Sequence, residues 1–506
     1  MLKSIVFIMQ KPIIKLFFVL LIIGLLTQAF ASIVDTREAA FTPAQRAWLL
    51  DNRQEAKTFY ISEIDSAGDQ TVPAFNAAYL SYLDHNFDAT DKYLKIALSA
   101  NPKYGPALFL KGLIEYDRHN LRNSFTALQK SIKTHPQSYL PNYYLGKFLY
   151  ERGKYKDAIE YLKDAISDYK LYTFSYSLLG QLYIDINKLN KAIEILEKGF
   201  IYSHDADIIF NLAKAYELSG QTGKAIKYYG LFAYLYEKHP KYESAKAFLN
   251  KHHITNYWTN RLEPIPERGD EACFFPVGED YVYSIYWGPI RVGELNTIIH
   301  EKLNYKGIDA YKVQFSMDSN PALEFIASLH SDYITIIDQR TKLTLRHFLH
   351  QRENSLIADK VYDYDRENGR FMCRTVHEDG HIDYLEKYLP KNCVDGTSIL
   401  FYARQVVSEH RSEIVMTTID ETFVLTDMIF DNVKEPVEVR GKTENVYRLS
   451  GELHYKGIVG FTGNFWGWFR DDNTHLPVSS DFEIWVGRIK VYMATLEEQR
   501  EHKYWR

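Results

Sequence analysis

The chain predicts an α plus β protein of two domains: an N-terminal α-solenoid, then a mostly antiparallel, curved β-sheet or half-barrel with one helix. Three observations carry this. First, prolines and glycines recur at intervals of 34 residues, as in Pro102 and Pro136 and in Gly112, Gly146 and Gly180. Second, from Cys273 onward apolar residues alternate with polar ones. Tyr311, Val313, Phe315 and Met317 share one face, and Lys312, Gln314 and Ser316 the other; a period of two is that of a half-buried strand. Third, both periods stop in the polar, irregular stretch 253–272, where Pro264 and Pro266 mark a linker.

At 506 residues and 46% apolar, the chain is long and apolar enough for more than one core. Residues 1–31 read as a secretory signal. Lys3, Lys11 and Lys15 precede an apolar run from Leu16 to Leu26, and Ala29-Phe30-Ala31 supplies the small-x-small cleavage pattern before Ser32. The alternative is an uncleaved anchor, for which the apolar run is short. No cysteine follows the run, so an acyl anchor has no attachment residue. The expectation is an exported chain, periplasmic or envelope-associated, cleaved after Ala31. Such a chain keeps 57 basic and 65 acidic residues, a formal charge of −8, with no general attraction to nucleic acid. Cys273, Cys373 and Cys393 make an odd count, so one thiol lacks a partner within the chain. Cys373 and Cys393 can bridge in an oxidising compartment, or all three can serve as small apolar residues. None has zinc-site spacing.

In chain order, 32–70 forms a helical cap with one helix. Thr42 caps it, Pro43 suits its first position, Gln45 completes a capping box, and Gly68 ends it. Trp48, Leu49 and Phe59 give it an apolar side for the first repeat. Residues 71–252 then read as five helix pairs, at 71–104, 105–138, 139–172, 173–205 and 206–239, with Tyr242 to Lys251 as a closing helix. Leu145-Gly146, Ala158 and Ala165, then Leu179-Gly180, Tyr183 and Ala192, fall where small and apolar residues let antiparallel helices approach. The first pair departs, with Ser81 and Thr90 in place of tyrosine and alanine. The period and these positions resemble the tetratricopeptide repeat family. No pair buries its apolar face alone, so stacked neighbours are required.

That resemblance implies a concave groove lined by the first helix of each pair. It places Phe75, Tyr79, Tyr82, Phe109, Arg118, Tyr143, Lys147, Tyr150, Gln181, Phe210 and Lys214 there. The lysine and asparagine clamp of repeats that hold chaperone tails is absent, because Phe75, Phe109 and Tyr143 occupy the early site. Aromatic rings with scattered cations suit an extended apolar or mixed peptide. The competing reading is that several rings pack as core within their own chain.

In 273–497, YVYSIYW and IRVGELNTIIHE flank Gly288-Pro289 as a hairpin. FTGNFWGWFRDDNTHLP and DFEIWVGRIKVYM form another, and Thr397 to Val407 is a helix with Asp395 or Thr397 as cap. Residues 498–506 are a tail. FPVGEDYVYSIYWGPIRVGEL, DGTSILFYARQ, and WFRDDNTHLPV with Gly487-Arg488-Ile489 resemble the bacterial envelope family called domain of unknown function 3108. The resemblance implies a curved antiparallel sheet, akin to the half-barrels of lipoprotein carriers, and an exported location. It implies no reaction.

Two clusters invite chemistry. His377 and His381 flank Glu378-Asp379-Gly380. A two-residue turn sends them to opposite faces, and a three-residue loop sets them side by side, still too few ligands for a metal. Asp471-Asp472 beside Trp466 and Trp468 has the look of a carbohydrate-active hydrolase, which needs two carboxyls set across a cleft. Adjacent acids before Asn-Thr are also ordinary turn chemistry. No nucleophile elbow, phosphate loop or metal motif accompanies them. The reading that remains is a non-catalytic adaptor or scaffold with no cofactor and no metal. It binds protein or peptide through the groove, with a lipid or other envelope ligand as a second candidate in the sheet. The alternatives are the hydrolase and a structural assembly factor without a ligand.

Overall fold

The computed structural model describes residues 41–134, 139–255, 275–323, 329–353, 356–454, 461–484, 487–495 and 498. The signal segment 1–31, Cys273, Pro136, most of the linker (256–272, with Pro264 and Pro266) and the tail beyond Glu498 lie outside them. The cap contains two helices rather than one, α1 (Pro43–Leu49) and α2 (Arg53–Ser66). Thr42 and Gln45 form the capping box, but Asp51 takes φ +68° and Asn52 caps a second start. Short polar residues tolerate that left-handed turn, which is why the helix breaks there.

Five helix pairs follow: α3 (Thr71–Leu83) with α4 (Phe87–Ala100), α5 (Gly105–Asp117) with α6 (Leu121–Thr134), α7 (Tyr139–Glu151) with α8 (Tyr155–Asp168), α9 (Phe174–Asp185) with α10 (Leu189–Tyr202), and α11 (Ala206–Leu218) with α12 (Thr222–Leu235). Helix α13 (Tyr242–Lys251) closes the stack. The glycine period has a packing cause. A Cβ built on Gly112, Gly146 or Gly180 would stand 2.6, 2.6 or 2.4 Å from the leucine of its partner helix (Leu128, Leu162 or Leu196). Successive pairs are also keyed by a tyrosine ladder at a spacing of 35: Tyr82 donates to Asp117, Tyr116 to Glu151 and Tyr150 to Asp185.

The C-terminal region is one sheet of fifteen strands. They are β1 (Asp280–Trp287), β2 (Ile290–Tyr305), β3 (Ile308–Ser319), β4 (Leu329–Asp338), β5 (Thr344–Glu353), β6 (Leu356–Asp365), β7 (Arg370–His377), β8 (Ile382–Tyr388), β9 (Cys393–Asp395), β10 (His410–Ile419), β11 (Thr422–Val439), β12 (Lys442–Leu453), β13 (Phe461–Arg470), β14 (Pro477–Ile484) and β15 (Arg488–Met493). The spatial order is 8-7-6-5-4-3-2-1-15-14-13-12-11-10-9, antiparallel except for the short parallel pair β9–β10. Strand β15 pairs with β1 and so joins two meanders into one sheet. The sheet curls until its ends approach each other. Lys360 of β6 lies 2.8 Å from Glu421 in the β10–β11 turn, and the Phe371 and Phe423 rings are 5.2 Å apart.

Helix α14 (Ser398–Val406) fills the hollow. Phe401 packs with Phe275, Tyr311, Val313 and Phe315, while Tyr402, Ala403 and Val406 pack with Val415, Met428, Phe430 and Phe469. The polar face of β3 is buried as well, a difference from the half-buried strand that alternation predicts. Gln314 bonds to His300 (2.7 Å) and Ser316 to Asp332 (2.7 Å), so polar side chains cover one another. Cys373 and Cys393 are both buried free thiols. Burial pushes the Cys373 thiol well up and that of Cys393 to about 12, so neither is a ready nucleophile.

We predict that Gly180→Ala destabilises the solenoid by roughly 1–3 kcal/mol in urea denaturation, because overpacking against Leu196 outweighs helix propensity. Gly223→Ala, with nothing within 4 Å of the new Cβ, should leave stability unchanged or raise it.

Candidate functional site

The solenoid and the sheet meet along a seam, part of which is built on strand edges that the sheet leaves unpaired. On β8 the N–H groups of Ile382 and Tyr384 point away from β7. Asn76 Oδ1 accepts the first at 3.0 Å and the Tyr79 hydroxyl the second at 3.1 Å, while Asn76 Nδ2 donates to Gly380 O at 3.0 Å. Tyr104 donates to Asp379 at 3.0 Å. At the other end of the sheet, β11 runs beyond β12 and exposes an edge at Phe423 and Leu425. Ser203 and His204 fill it: His204 N donates to Phe423 O (2.7 Å), Phe423 N to Ser203 Oγ (3.0 Å) and Leu425 N to His204 Nδ1 (3.3 Å).

Charges and rings tie the remaining length. Lys387 lies 3.3 Å from both oxygens of Asp205, donates to Glu421 O and covers the Phe174 ring. Arg374, 2% exposed, pairs with Asp51 of the cap and with Asp363. Burial opposes ionisation of Asp363, but Arg346 and Arg374 prevail and hold it at about 2. Trp48, 1% exposed, donates to Thr375 O at 3.1 Å, so the cap helix packs on the sheet as well as on the first repeat. At the far end the His239 and Tyr388 rings meet at 4.2 Å, tilted by 60°, and Lys391 N donates to Leu235 O. One buried cluster accordingly joins α1–α5 to Ile334, Phe348 and Ile382, and another joins α7–α13 to Tyr362, Phe371 and Phe423.

Of the groove positions expected from sequence, Phe75 and Tyr79 make direct contacts with the sheet, and the rest have partners within the solenoid. Phe75 is buried between Tyr79, Tyr104 and His381, and Tyr79 holds β8. Tyr82 and Tyr150 belong to the inter-repeat ladder, and Gln181 donates to Asp185. Arg118, exposed, pairs with Asp91 at 2.7 Å. Lys147 lies over Tyr144, and Lys214 pairs with Glu217. Phe109 meets Tyr144, Tyr143 sits among Tyr144, Tyr172 and Phe174, and Phe210 meets Tyr229 and Phe232. These last three remain half-buried. Sequence reasoning missed Asn76, Tyr104, Ser203, His204 and Asp205. Only Asn76 carried a signal, a polar residue inside an apolar helix face that would need a buried partner.

The motifs that carry the second resemblance converge on the two ends of α14. At its start, Asp395 accepts from Thr344 (2.6 Å) and from the backbone of Thr397 and Ser398, and His347 stands 3.4 Å away. Burial works against the Asp395 carboxylate, yet His347 and three hydroxyls keep it below its usual range. At its end, Arg404 binds Glu279 bidentately at 2.7 and 3.0 Å and donates to Thr474 O, while His475 Nδ1 meets Arg404 O. Arg404 and Glu279 are 2% and 5% exposed. These polar residues position the helix.

The other candidate clusters are engaged locally. Glu378 to Gly380 makes the three-residue loop, with Gly380 at φ +85° and the two imidazoles stacked at 4.0 Å. His381 faces Asp379 and His377 faces Asp383, so the rings do not converge on one point. Asp471 pairs with Lys434 at 2.8 Å, which holds its carboxyl below the usual range, and Asp472 closes a turn onto Thr474 and His475. Trp466 lies under Arg488, and Trp468 donates to Glu435. Asp427, Glu452 and His454 cluster on β11 and β12, but each imidazole nitrogen faces a different carboxylate, at 2.9 and 3.9 Å. The Asp427 hydrogen bond raises the His454 imidazole pKa above its ordinary value.

Residues 282–494 match the family model described as Protein of unknown function (DUF3108), and residues 117–199 match that of Anaphase-promoting complex, cyclosome, subunit 3. No curated protein matches the sequence significantly. Among solved structures, the chain is similar to PilW, a widely conserved type IV pilus biogenesis factor (16% identity, 40% of this chain and 94% of that one, TM-score 0.37). It is also similar to YrrB, a TPR protein with an unusual peptide-binding site (16%, 38% and 94%, 0.29), and to MamA (23%, 35% and 96%, 0.27).

Two outcomes are expected. Glu279→Ala leaves Arg404 buried without its counter-charge and should cost about 3–5 kcal/mol, read as a lowered Tm, whereas Glu279→Leu with Arg404→Met should recover much of it. Burial holds His204 at about 3, against 6.5 for the free side chain, with the Phe423 carbonyl and the distant His454 as lesser influences. The unfolded state therefore binds more protons between those values, so this contribution is complete above pH 6.5 and is lost as pH falls towards 3. Lowering pH from 7 to 5 should weaken the chain by roughly 2 kcal/mol through this group. Faster amide exchange at Phe423 and Leu425 would report it, and His204→Gln should remove it.

Proposed function

We propose that the chain is a non-catalytic scaffold of the cell envelope that binds extended polypeptide on the concave face of its solenoid. One observation supports the reading: α3, the first helix of the first pair, already holds an extended segment, β8, by side-chain bonds from Asn76 and Tyr79 to backbone N–H groups. Such bonds select chain conformation more than sequence. Half-buried Phe109, Tyr143 and Phe210 supply anchors of the kind that dominate interfaces. The helix in the hollow of the sheet favours a protein partner over an apolar ligand housed there. Export rests on the basic start, apolar run and Ala29-Phe30-Ala31 of the sequence.

The test is affinity capture from an envelope fraction with the full chain and with Tyr143→Ala, read by mass spectrometry. The variant should lose partner binding by about tenfold or more while keeping its Tm near wild type. A fall in Tm with unchanged capture would make Tyr143 a core residue and remove the reading. N-terminal sequencing of the same material should begin at Ser32, and an intact Met1 would contradict export with cleavage.

A further inference from the structure

We propose that residues Asp379–Lys391 are a resident ligand of the concave face, bound in cis, which an extended partner chain of similar chemistry must displace. This rests on the protein-binding reading above and adds to it a regulation and a partner chemistry.

The segment meets the solenoid from the first repeat to the fifth. Asp379 accepts from Tyr104, Gly380 and Ile382 bond Asn76, and Tyr384 N bonds Tyr79. Further along, Lys387 meets Asp205 and Phe174, Tyr388 meets His239, and Lys391 N meets Leu235 O. At about 3.3 Å per extended residue, Asp379 to Lys391 reaches about 40 Å, the length of a peptide lying along a groove. None of these bonds belongs to the β7 ladder, which runs on the opposite edge of β8 through pairs such as Thr375 with Asp383. Displacement of β8 can therefore leave the β7–β8 pairing intact, but it must also loosen the contacts of β7 with the cap, Arg374 with Asp51 and Trp48 with Thr375 O.

The grip is also uneven. Among the described residues, Asp383, Leu385 and Glu386 make no hydrogen bond to the solenoid, and the Asp383 side chain is 40% exposed. The segment is thus least held between the bond at Tyr384 N and the Lys387–Asp205 pair, where Glu386 is exposed. An incoming chain can start there. It needs free N–H groups two residues apart, so no proline at those positions, and a carboxylate eight residues before an ammonium, as Asp379 stands to Lys387.

The experiment titrates a labelled peptide of residues 379–391 into full-length protein, followed by fluorescence anisotropy. The proteins compared are wild type, Asp379→Ala/Lys387→Ala, and that double variant with Asn76→Ala added. If about 1% of the wild type is open, the double variant should bind about 100-fold more tightly. Adding Asn76→Ala should reverse most of that gain. Equal affinity for wild type and double variant overturns the proposal, as does tight binding indifferent to Asn76. Should the double variant fail to fold, hydrogen exchange of wild type replaces it. Excess peptide should then speed exchange at Ile382 and Tyr384, and unchanged rates overturn the proposal. Tyr143-dependent capture that is identical in wild type and double variant would overturn the resident-ligand proposal alone and leave the protein-binding reading standing.

Discussion

An open sheet has two edges whose backbone donors and acceptors need partners, and the structure turns on how these are satisfied. Here the outer N–H groups of the edge strand β8, and the stretch of β11 that runs past β12 two strands in from the other edge, are both met by the solenoid, through Asn76 and Tyr79 on one side and Ser203 and His204 on the other. A bare edge invites pairing with another chain. The repeats thus do for this sheet what closure does for a barrel, and they do it with side chains rather than a ladder.

That solution brings charges into the interior. Arg346 and Arg374 both reach the buried carboxylate of Asp363, Lys360 and Lys387 reach the partly buried Glu421 and Asp205, and Arg374 spans from the sheet to Asp51 of the cap. Paired buried charges contribute little net stability, but losing one partner is costly. The two pairs that cross between sheet and solenoid, Arg374–Asp51 and Lys387–Asp205, therefore favour one docking geometry. His204, neutral in its apolar setting, adds a dependence on acidity at the same boundary.

The sheet's hollow follows a separate logic. Three stretches far apart in the chain meet at α14: Glu279 from the start of the sheet, Arg404 from the helix, and Thr474 and His475 from the β13–β14 loop. With Asp395 anchoring the opposite end, the helix is held at both termini by polar groups and along its length by Phe401, Tyr402 and Val406. Motifs that look chemical in a linear reading, such as the acids after Trp468, are turn and ion-pair residues that hold this arrangement.

The repeats were legible because their packing is local. Gly112, Gly146 and Gly180 each answer to a leucine sixteen residues later, so a fixed period in sequence is also a contact in space. The alternation on β3 and the turn at Gly288 were legible for the same reason, since strand face and hairpin register are set by neighbours in the chain. What sequence could not show is where β8 goes. Asn76 and Ile382 are 306 residues apart, and nothing in the pattern of either links them. The repeat resemblance placed aromatic residues on the first helix of each pair, and alternation marked a β-rich second half. Only the tertiary structure decided that β8 lies against the first helix of the first repeat, because edge donors of a curled sheet find partners by position in space, which no period in the sequence records.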